Sequence, residues 1–364
     1  MAKRNLKLRF LSFLLLMCLV TSLAWAQDGH EHHHHDHGGI PEMGPDGKRL
    51  DSYQVKHDMD QATLDALRDK IDLYRGMTDR EINMNMSGMG PNYEWYASSL
   101  DLNGEVGVLI LSHGVGQNSD RLLVEAIDPI ASEKPTAVGF GMAMMTSSYL
   151  QSSVDDLTAR GVKKIILLPN GTTTPYNSLT RQWKYIFGLG EEATYLEVPK
   201  IQSDAEFYMA EHFEDSPFIT DILYDYAKEI STNPSNEVVV LIAHGPEDVE
   251  DNIPDLEILS AHAERIKEKG GFLDVKIANL QDDAIPPIRK RNVKQIQRWI
   301  RKANKKGNDV IVVALAAASH GVQTHIENDL RGLDYTFNAK GMAQHPLYIT
   351  WMSSAINETA ATLN

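Results

Sequence analysis

The chain has 364 residues, 35 Lys and Arg against 50 Asp and Glu, 42% hydrophobic residues and a single cysteine. Such a composition can bury a core, which excludes a disordered protein, and one thiol excludes a disulfide framework. The acidic balance argues against a nucleic-acid partner, whose affinity rests on basic surface.

The first 26 residues hold Lys3, Arg4, Lys7 and Arg9 and no acid, then an apolar run from Phe10 to Leu23, then Ala24-Trp25-Ala26. A basic segment, an apolar segment and a small-x-small site in that order read as a secretory signal peptide. Cleavage after Ala26 removes the only cysteine, Cys18, and shifts the formal charge from −15 to −19, four bases and no acid being lost. The expected product is periplasmic or secreted and has no thiol for metal binding or nucleophilic attack. Leu15-Leu16-Met17-Cys18 lacks the small residues that precede a lipidated cysteine. No later apolar run reaches the roughly 18–20 residues of a spanning helix, so no membrane span is expected.

Residues 27–50 are histidine-rich, with six histidines between His30 and His37 and a Gly/Pro-rich stretch behind them. Such a segment builds no core and is expected to be disordered, while its dense imidazoles and flanking acids bind Zn²⁺, Ni²⁺, Co²⁺ or Cu²⁺. An expression tag is the other source of such a tract; the acidic interruptions argue against it. Residues 51–100 read as an N-terminal extension, with helical spacing over 59–75 (Leu64, Leu67, Ile71, Leu73) and an irregular Met-rich stretch over 77–97.

From Val106 the texture changes to short apolar runs alternating with amphipathic stretches. Val106–Leu111 ends in Ser112-His113-Gly114; Ala137–Ala143 and Lys163–Leu168 follow, separated by stretches at 119–131 and 148–160. The order then recurs: Val238–Ile242 ends in Ala243-His244-Gly245, a helix at 255–269 precedes Leu273–Leu280, and a basic helix at 287–306 precedes Val310–Leu315. Strands of about six residues alternating with helices of about twelve indicate a doubly wound parallel sheet. The two His-Gly pairs stand 131 residues apart. The fold class is therefore α/β, with two duplicated doubly wound domains, 101–232 and 233–364, and a cleft between them. In such sheets ligands sit beyond the carboxyl ends of the strands, where both His-Gly pairs fall.

A strand-end histidine followed by glycine presents an imidazole at the cleft mouth, as ligand, base or helix cap. The segment Ala316–Leu330 brings His320 and His325 to the strand face that carries His244. Three imidazoles converging near Asp282, Asp283, Glu327 and Asp329 suit a borderline divalent metal, although Glu327 and Asp329 serve equally well to cap or solvate the next helix. No G-x-S-x-G elbow exists, which excludes the hydrolase reading of a strand-end His-Gly.

Val108–Gly114, Val138–Met144 and Leu157–Pro169, with Val239–Gly245 and the segment from Gly321 through His325-Ile326-Glu327-Asn328-Asp329-Leu330, resemble the class II chelatase superfamily. That group includes sirohydrochlorin cobaltochelatases and ferrochelatases and, more distantly, protohaem ferrochelatase; the resemblance covers about residues 100–352. It implies a lyase of tetrapyrrole biosynthesis that inserts a divalent metal, Co²⁺ first and Fe²⁺ or Ni²⁺ as alternatives, into a sirohydrochlorin-like macrocycle. The metal is substrate and the tetrapyrrole the partner; self-association is compatible with it. Carried over by position, His244 and His325 hold the metal with Asp282 or Asp283 beside them, and His113 faces them or serves structure. His320 falls outside the family pattern. In the first half Pro169–Thr174 replaces the histidine-bearing loop, and Met144 stands where many members have glutamate. The helix from Arg289 to Lys306 has nine bases and no acid; Arg289 and Arg291 are candidates to pair substrate carboxylates, against a simple solvated face. The acidic run Glu247–Asp251 either gathers cations or is solvated surface. A non-catalytic metal- or haem-binding protein on a chelatase scaffold is the competing reading, since fold does not fix function.

Overall fold

The computed structural model describes residues 42–49, 59–88, 92–114, 116–141, 146–171, 177–318 and 320–363. The signal segment 1–26, the histidine tract 30–37 and Met144 lie outside the described residues.

Ahead of the first repeat come helices α1 (Gln61–Lys70) and α2 (Asp79–Gly88) and strand β1 (Tyr93–Tyr96). The described part of the Met-rich stretch is thus helix and strand, not irregular. Thr78 and Glu81 make the reciprocal bonds of a capping box, with Thr78 N donating to Glu81 Oε2 at 2.8 Å and Glu81 N to Thr78 Oγ1 at 3.3 Å. Ile82 and Met86, four residues apart, then bury one face of α2 against Leu64, Leu67 and Tyr74.

The first repeat runs β2 (Val106–Ser112), α3 (Gln117–Ala126), α4 (Asp128–Ala131), β3 (Thr136–Phe140), α5 (Ser148–Thr158), β4 (Lys164–Asn170), α6 (Ser178–Ile186), β5 (Glu206–Met209) and α7 (Pro217–Ile230). The second runs β6 (Glu237–Ala243), α8 (Val249–Gly270), β7 (Asp274–Asn279), α9 (Pro286–Lys305), β8 (Asp309–Leu315), α10 (Val322–Asp329), β9 (Thr336–Asn338) and α11 (Pro346–Ala361). The sheets order as β1-β3-β2-β4-β5 and β7-β6-β8-β9. Apart from β1, which joins β3 antiparallel, every pairing is parallel. Each repeat therefore places its second strand outside its first and its third and fourth on the other side, the doubly wound duplication that the motifs predict. β2 and β6 are apolar almost throughout because helices cover both faces of the sheets.

The helices that end the repeats change partners. α7 packs on β8, β9 and α8 of the second repeat, whereas α11, at the end of the chain, packs on β4 of the first sheet and on α7. One continuous core results, running from Val108, Ile110 and Ile166 through Leu223 and Met352 to Val239, Leu241 and Val313.

Segment 42–49 is fastened to the first sheet by Arg49. Its Nε donates to Asp156 Oδ2 of α5 at 2.9 Å and lies 3.7 Å from Glu94 Oε1 of β1. Glu94 is fully buried, and burial pushes its carboxyl up to about 7 against the opposing pull of Arg49. Removing one member of a buried charge group leaves the others uncompensated, at about 3–5 kcal/mol. Arg49→Ala is expected to lose stability of that order in urea unfolding, and adding Glu94→Gln to recover part of it, because a neutral amide needs no countercharge.

Candidate functional site

β2 and β6 end in the same local structure. Gly114 and Gly245 take φ of +76° and +75°, and a Cβ at Gly245 would stand 2.4 Å from the Asn279 Cβ at the end of the neighbouring β7. Only glycine lets the chain leave the strand there. Each preceding imidazole folds back, His113 Nδ1 donating to the Gly114 carbonyl at 2.6 Å and His244 Nδ1 to the Gly245 carbonyl at 2.8 Å. A carbonyl only accepts, so the proton sits on Nδ1 and the Nε2 lone pair faces outward in the neutral ring.

The halves meet at these strand ends. Gly171, after β4, lies close enough to Ala317, after β8, that an added Cβ would be 3.5 Å from the alanine Cβ. Arg181 of α6 bridges to Asp251 of α8 at 2.9 Å. His113 lies exposed at the end of β2. Desolvation by the atoms around it nevertheless lowers its pKa, against the Gly114 carbonyl and Asp283, with His244 lowering it further. The His244 end of β6 thus lies within electrostatic reach of His113 at the end of β2.

The turn after β7 supplies the carboxylates. Leu280 N and Gln281 N donate to the carbonyls of Ala243 and His244 at 2.9 and 2.7 Å, and Gln281 Nε2 donates to those of Pro246 and Asp248 at 3.1 and 3.2 Å. Gln281 has φ +52°, so the chain turns sharply and the next two side chains part. Asp283 Oδ2 stands 3.5 Å from His244 Nε2, with both side chains more than 40% exposed. Asp282 turns inward to His325.

α10 starts at a positive-φ Gly321, and one turn later His325 Nδ1 donates to Asp282 Oδ2 at 2.7 Å. The other Asp282 oxygen accepts from Arg289 Nε at 2.7 Å, and the far side of that guanidinium holds Asp329 at 2.8 and 3.3 Å. Burial raises the Asp282 pKa, but the His325 hydrogen bond and the charges of His244, His325 and Arg289 outweigh it and hold the carboxyl low. Hydrogen bonding to Asp282 raises the His325 pKa in turn, against partial burial.

The expected convergence of three imidazoles is replaced by two His–Asp pairs, His244–Asp283 and His325–Asp282. Among the described residues no group of three or more His, Cys, Asp or Glu side chains is arranged to hold a metal ion. His320 lies exposed on the bend before α10. Arg289 is committed to Asp282 and Asp329, so its charge is neutralised within the protein and is not offered to substrate carboxylates. Arg291, two residues and roughly 200° further round α9, points away from the pair and lines an outer hollow with Lys290 and Lys294.

One participant escaped the sequence, and a second was read only as part of a charge run. Gln281, which sets the turn, carries no signal short of its positive φ. Glu247, in the acidic run beside His244, is pushed up to about 8 by burial and by Asp248, Asp283 and Asp251, with Arg181 opposing. Tyr74 and Tyr195, whose pKa values burial raises, also feel Glu247 and Asp283, which brings the N-terminal helices within electrostatic reach of the cleft.

No family model matches this sequence, and no curated protein matches it. Among solved structures, SirB from Bacillus subtilis with Fe³⁺ is 16% identical over 71% of this chain and 96% of SirB, with a TM-score of 0.53. CbiX, the terminal enzyme for biosynthesis of sirohaem in denitrifying bacteria, is 13% identical over 71% of this chain and all of its own length, at 0.46. The multi-domain DR2241 of Deinococcus radiodurans is 15% identical over 69% of this chain and 55% of its own, at 0.41. The likeness to SirB shows the fold, and with it the chelatase-like architecture expected from the motifs.

A carboxyl with a folded pKa near 8 and an ordinary unfolded one keeps its proton in the folded state while the unfolded chain loses it. Stability contributed by Glu247 therefore falls as pH rises from about 4.5 through 8. Glu247→Gln mimics the protonated form, so thermal melts between about pH 5 and 9 should show a smaller decline in Tm for the variant; an unchanged decline removes Glu247 as the cause.

Proposed function

We propose that this chain is an exported chelatase that holds a divalent metal, Co²⁺ first and Fe²⁺ or Ni²⁺ as alternatives, and inserts it into a sirohydrochlorin-like tetrapyrrole. One observation carries the reading: both cleft imidazoles spend Nδ1 on an acceptor, the Gly245 carbonyl for His244 and Asp282 for His325, and keep Nε2 for a cation. A carboxylate behind a ligating histidine fixes its tautomer and raises its basicity, which is the arrangement of His325.

No three such side chains are preset around one point among the described residues, so the two nitrogens, and Asp283 beside His244 as an oxygen donor, would gather on the ion as it arrives. All three side chains remain 41–47% exposed, so the ion is held at an open surface from which it can be handed on. Insertion releases two protons from the pyrrole N–H groups as the metal enters. The same step frees the two Nε2 lone pairs, and each imidazole can then accept one proton, so charge balances. The hydrogen bond to Asp282 that raises the His325 pKa suits that ring to take up a proton. His113 stands at the facing wall, where desolvation lowers its pKa and so favours the neutral ring, which adds no repulsion to an arriving cation. Arg289 is a positioning residue: it holds Asp282 between itself and His325.

The test is metal insertion into sirohydrochlorin, followed by absorbance with Co²⁺, Fe²⁺ and Ni²⁺. His244→Ala and His325→Ala should each lower the rate by roughly 10–100-fold or more, the range seen for lost supporting groups, and Asp282→Asn by the lower part of that range. His113→Ala should do less, since it keeps both proposed ligands. Absence of insertion with every metal, with cobalt or haem still bound, replaces the enzyme by the binding-protein reading. Export has its own measurement: mass spectrometry of the chain from its native host should give an N-terminus at Gln27, and an intact Met1 overturns the assignment.

A further inference from the structure

The outer side of α9 has no part in the proposed reaction. Its buried side carries Val293, Ile296, Ile300 and Ala303, packed on the second sheet. At about 100° per residue, Lys290, Arg291, Lys294, Arg298, Arg301 and Lys305 fall within one arc of roughly 100° on the opposite side. All six are exposed, and none has a carboxylate partner among the described residues. They form a strip about 22 Å long, with a hollow of about 700 Å³ beside it, floored at one end by Pro286 and Pro287. In a chain with 50 acids and 35 bases, an acid-free strip of this length is a local reversal of sign.

We infer that this face of α9 docks on an anionic lipid surface. Protein interfaces centre on aromatic and apolar anchors and are depleted in lysine; this arc has three lysines, no aromatic side chain and, at its first turn, Pro287 as its apolar member. Single-stranded nucleic acid is gripped by aromatic side chains that stack on bases, and the arc has none. A plane of lipid phosphates asks only for cations facing it, each contributing roughly fivefold in partition. The attraction acts within a Debye length, about 10 Å at 0.1 M salt, so the acids elsewhere on the molecule do not cancel it. The strip starts one residue after Arg289, so docking would hold the His325–Asp282 pair near the lipid, whatever reaction the pair performs.

The experiment is co-sedimentation of the full chain with vesicles of phosphatidylcholine alone or mixed with phosphatidylglycerol. Binding is expected on the mixed vesicles at about 0.05 M salt, and its loss at about 0.5 M. Lys294→Glu, Arg298→Glu, Arg301→Glu and Lys305→Glu together should reduce partition at least ~100-fold. If that variant does not melt like the parent, Lys294→Ala with Arg298→Ala and the salt series decide the matter, with an intermediate loss expected. Equal binding to phosphatidylcholine alone, no binding to the mixed vesicles at low salt, or insensitivity to the substitutions overturns the inference. So does competition in which polyglutamate or an oligonucleotide displaces the protein from the vesicles at lower anion concentration than phosphatidylglycerol itself provides.

Discussion

The exchange of end helices between the two repeats is the constraint on which the cleft depends. A parallel sheet needs cover on both faces, and each repeat obtains part of that cover from the other: the second sheet from α7, the first from α11. Tyr348, Trp351, Met352 and Ile356 of α11 are buried in the shared core. At roughly 1.5–3 kcal/mol for each large apolar side chain, that helix alone contributes as much as a typical domain's net stability, so neither half is complete without the other. The packing also fixes orientation. Tyr348 donates to Asn170 Oδ1 at 2.7 Å, and Asn170 Nδ2 to Ser112 Oγ at 3.1 Å, which ties the end of the chain to the ends of β4 and β2. The carboxyl ends of both sheets consequently face each other, and His113 and His244 share a cleft.

Within this frame the repeats have kept the backbone and parted in chemistry. Both His-Gly turns have the same φ and the same imidazole-to-carbonyl bond. What surrounds them differs. In the first half the strand-end polar groups of Ser112 and Asn170 are consumed by one another and by Tyr348, and β3 ends in Phe140 beside Gly114. In the second, the turn after β7 carries two carboxylates and α10 carries His325. Desolvation lowers the pKa of the first histidine, while the second half sets an aspartate beside each of its two cleft histidines. Chemistry is thus concentrated on the carboxyl edge of one sheet, with the other sheet serving as its wall.

The strands, the duplication and the His-Gly turns were legible in the sequence because each is a local signal: an apolar run of strand length closed by the one residue type that tolerates positive φ. The side-chain pairs of the site were not, because they depend on rotation and distance. Arg289 and Arg291 look equivalent in a run of bases, yet α9 turns them to opposite sides, and the Asp329 partner of Arg289 lies 40 residues on. Asp282 and Asp283 are adjacent and chemically alike, but the strained Gln281 sends one inward and one to the cleft. The α2 helix was hidden for another reason. Its methionines and asparagines give weak periodicity, and among its described side chains only Ile82 and Met86 are buried, so the Thr78-x-x-Glu81 cap was its readable start. α8 begins six residues before its apparent periodicity because Pro254 is accommodated inside it.

That early start changes the meaning of the acidic run beside His244. Asp248 is the N-cap position of α8 and Glu250 and Asp251 lie in its first turn, where carboxylates offset the positive end of the helix. Arg181 takes Asp251 and reaches Asp248 at 3.6 Å, and Glu247 holds its proton near neutral pH. Little of this formal charge is left to draw a cation in. Under the proposed reading, an arriving ion is therefore recognised by the imidazole nitrogens with one exposed aspartate, a donor set that prefers borderline metals such as Co²⁺, Ni²⁺ and Fe²⁺ to the oxygen-seeking Mg²⁺ and Ca²⁺. The neutral Glu247 and the paired aspartates would then improve discrimination by removing the oxygen-rich charge that hard cations would otherwise find first.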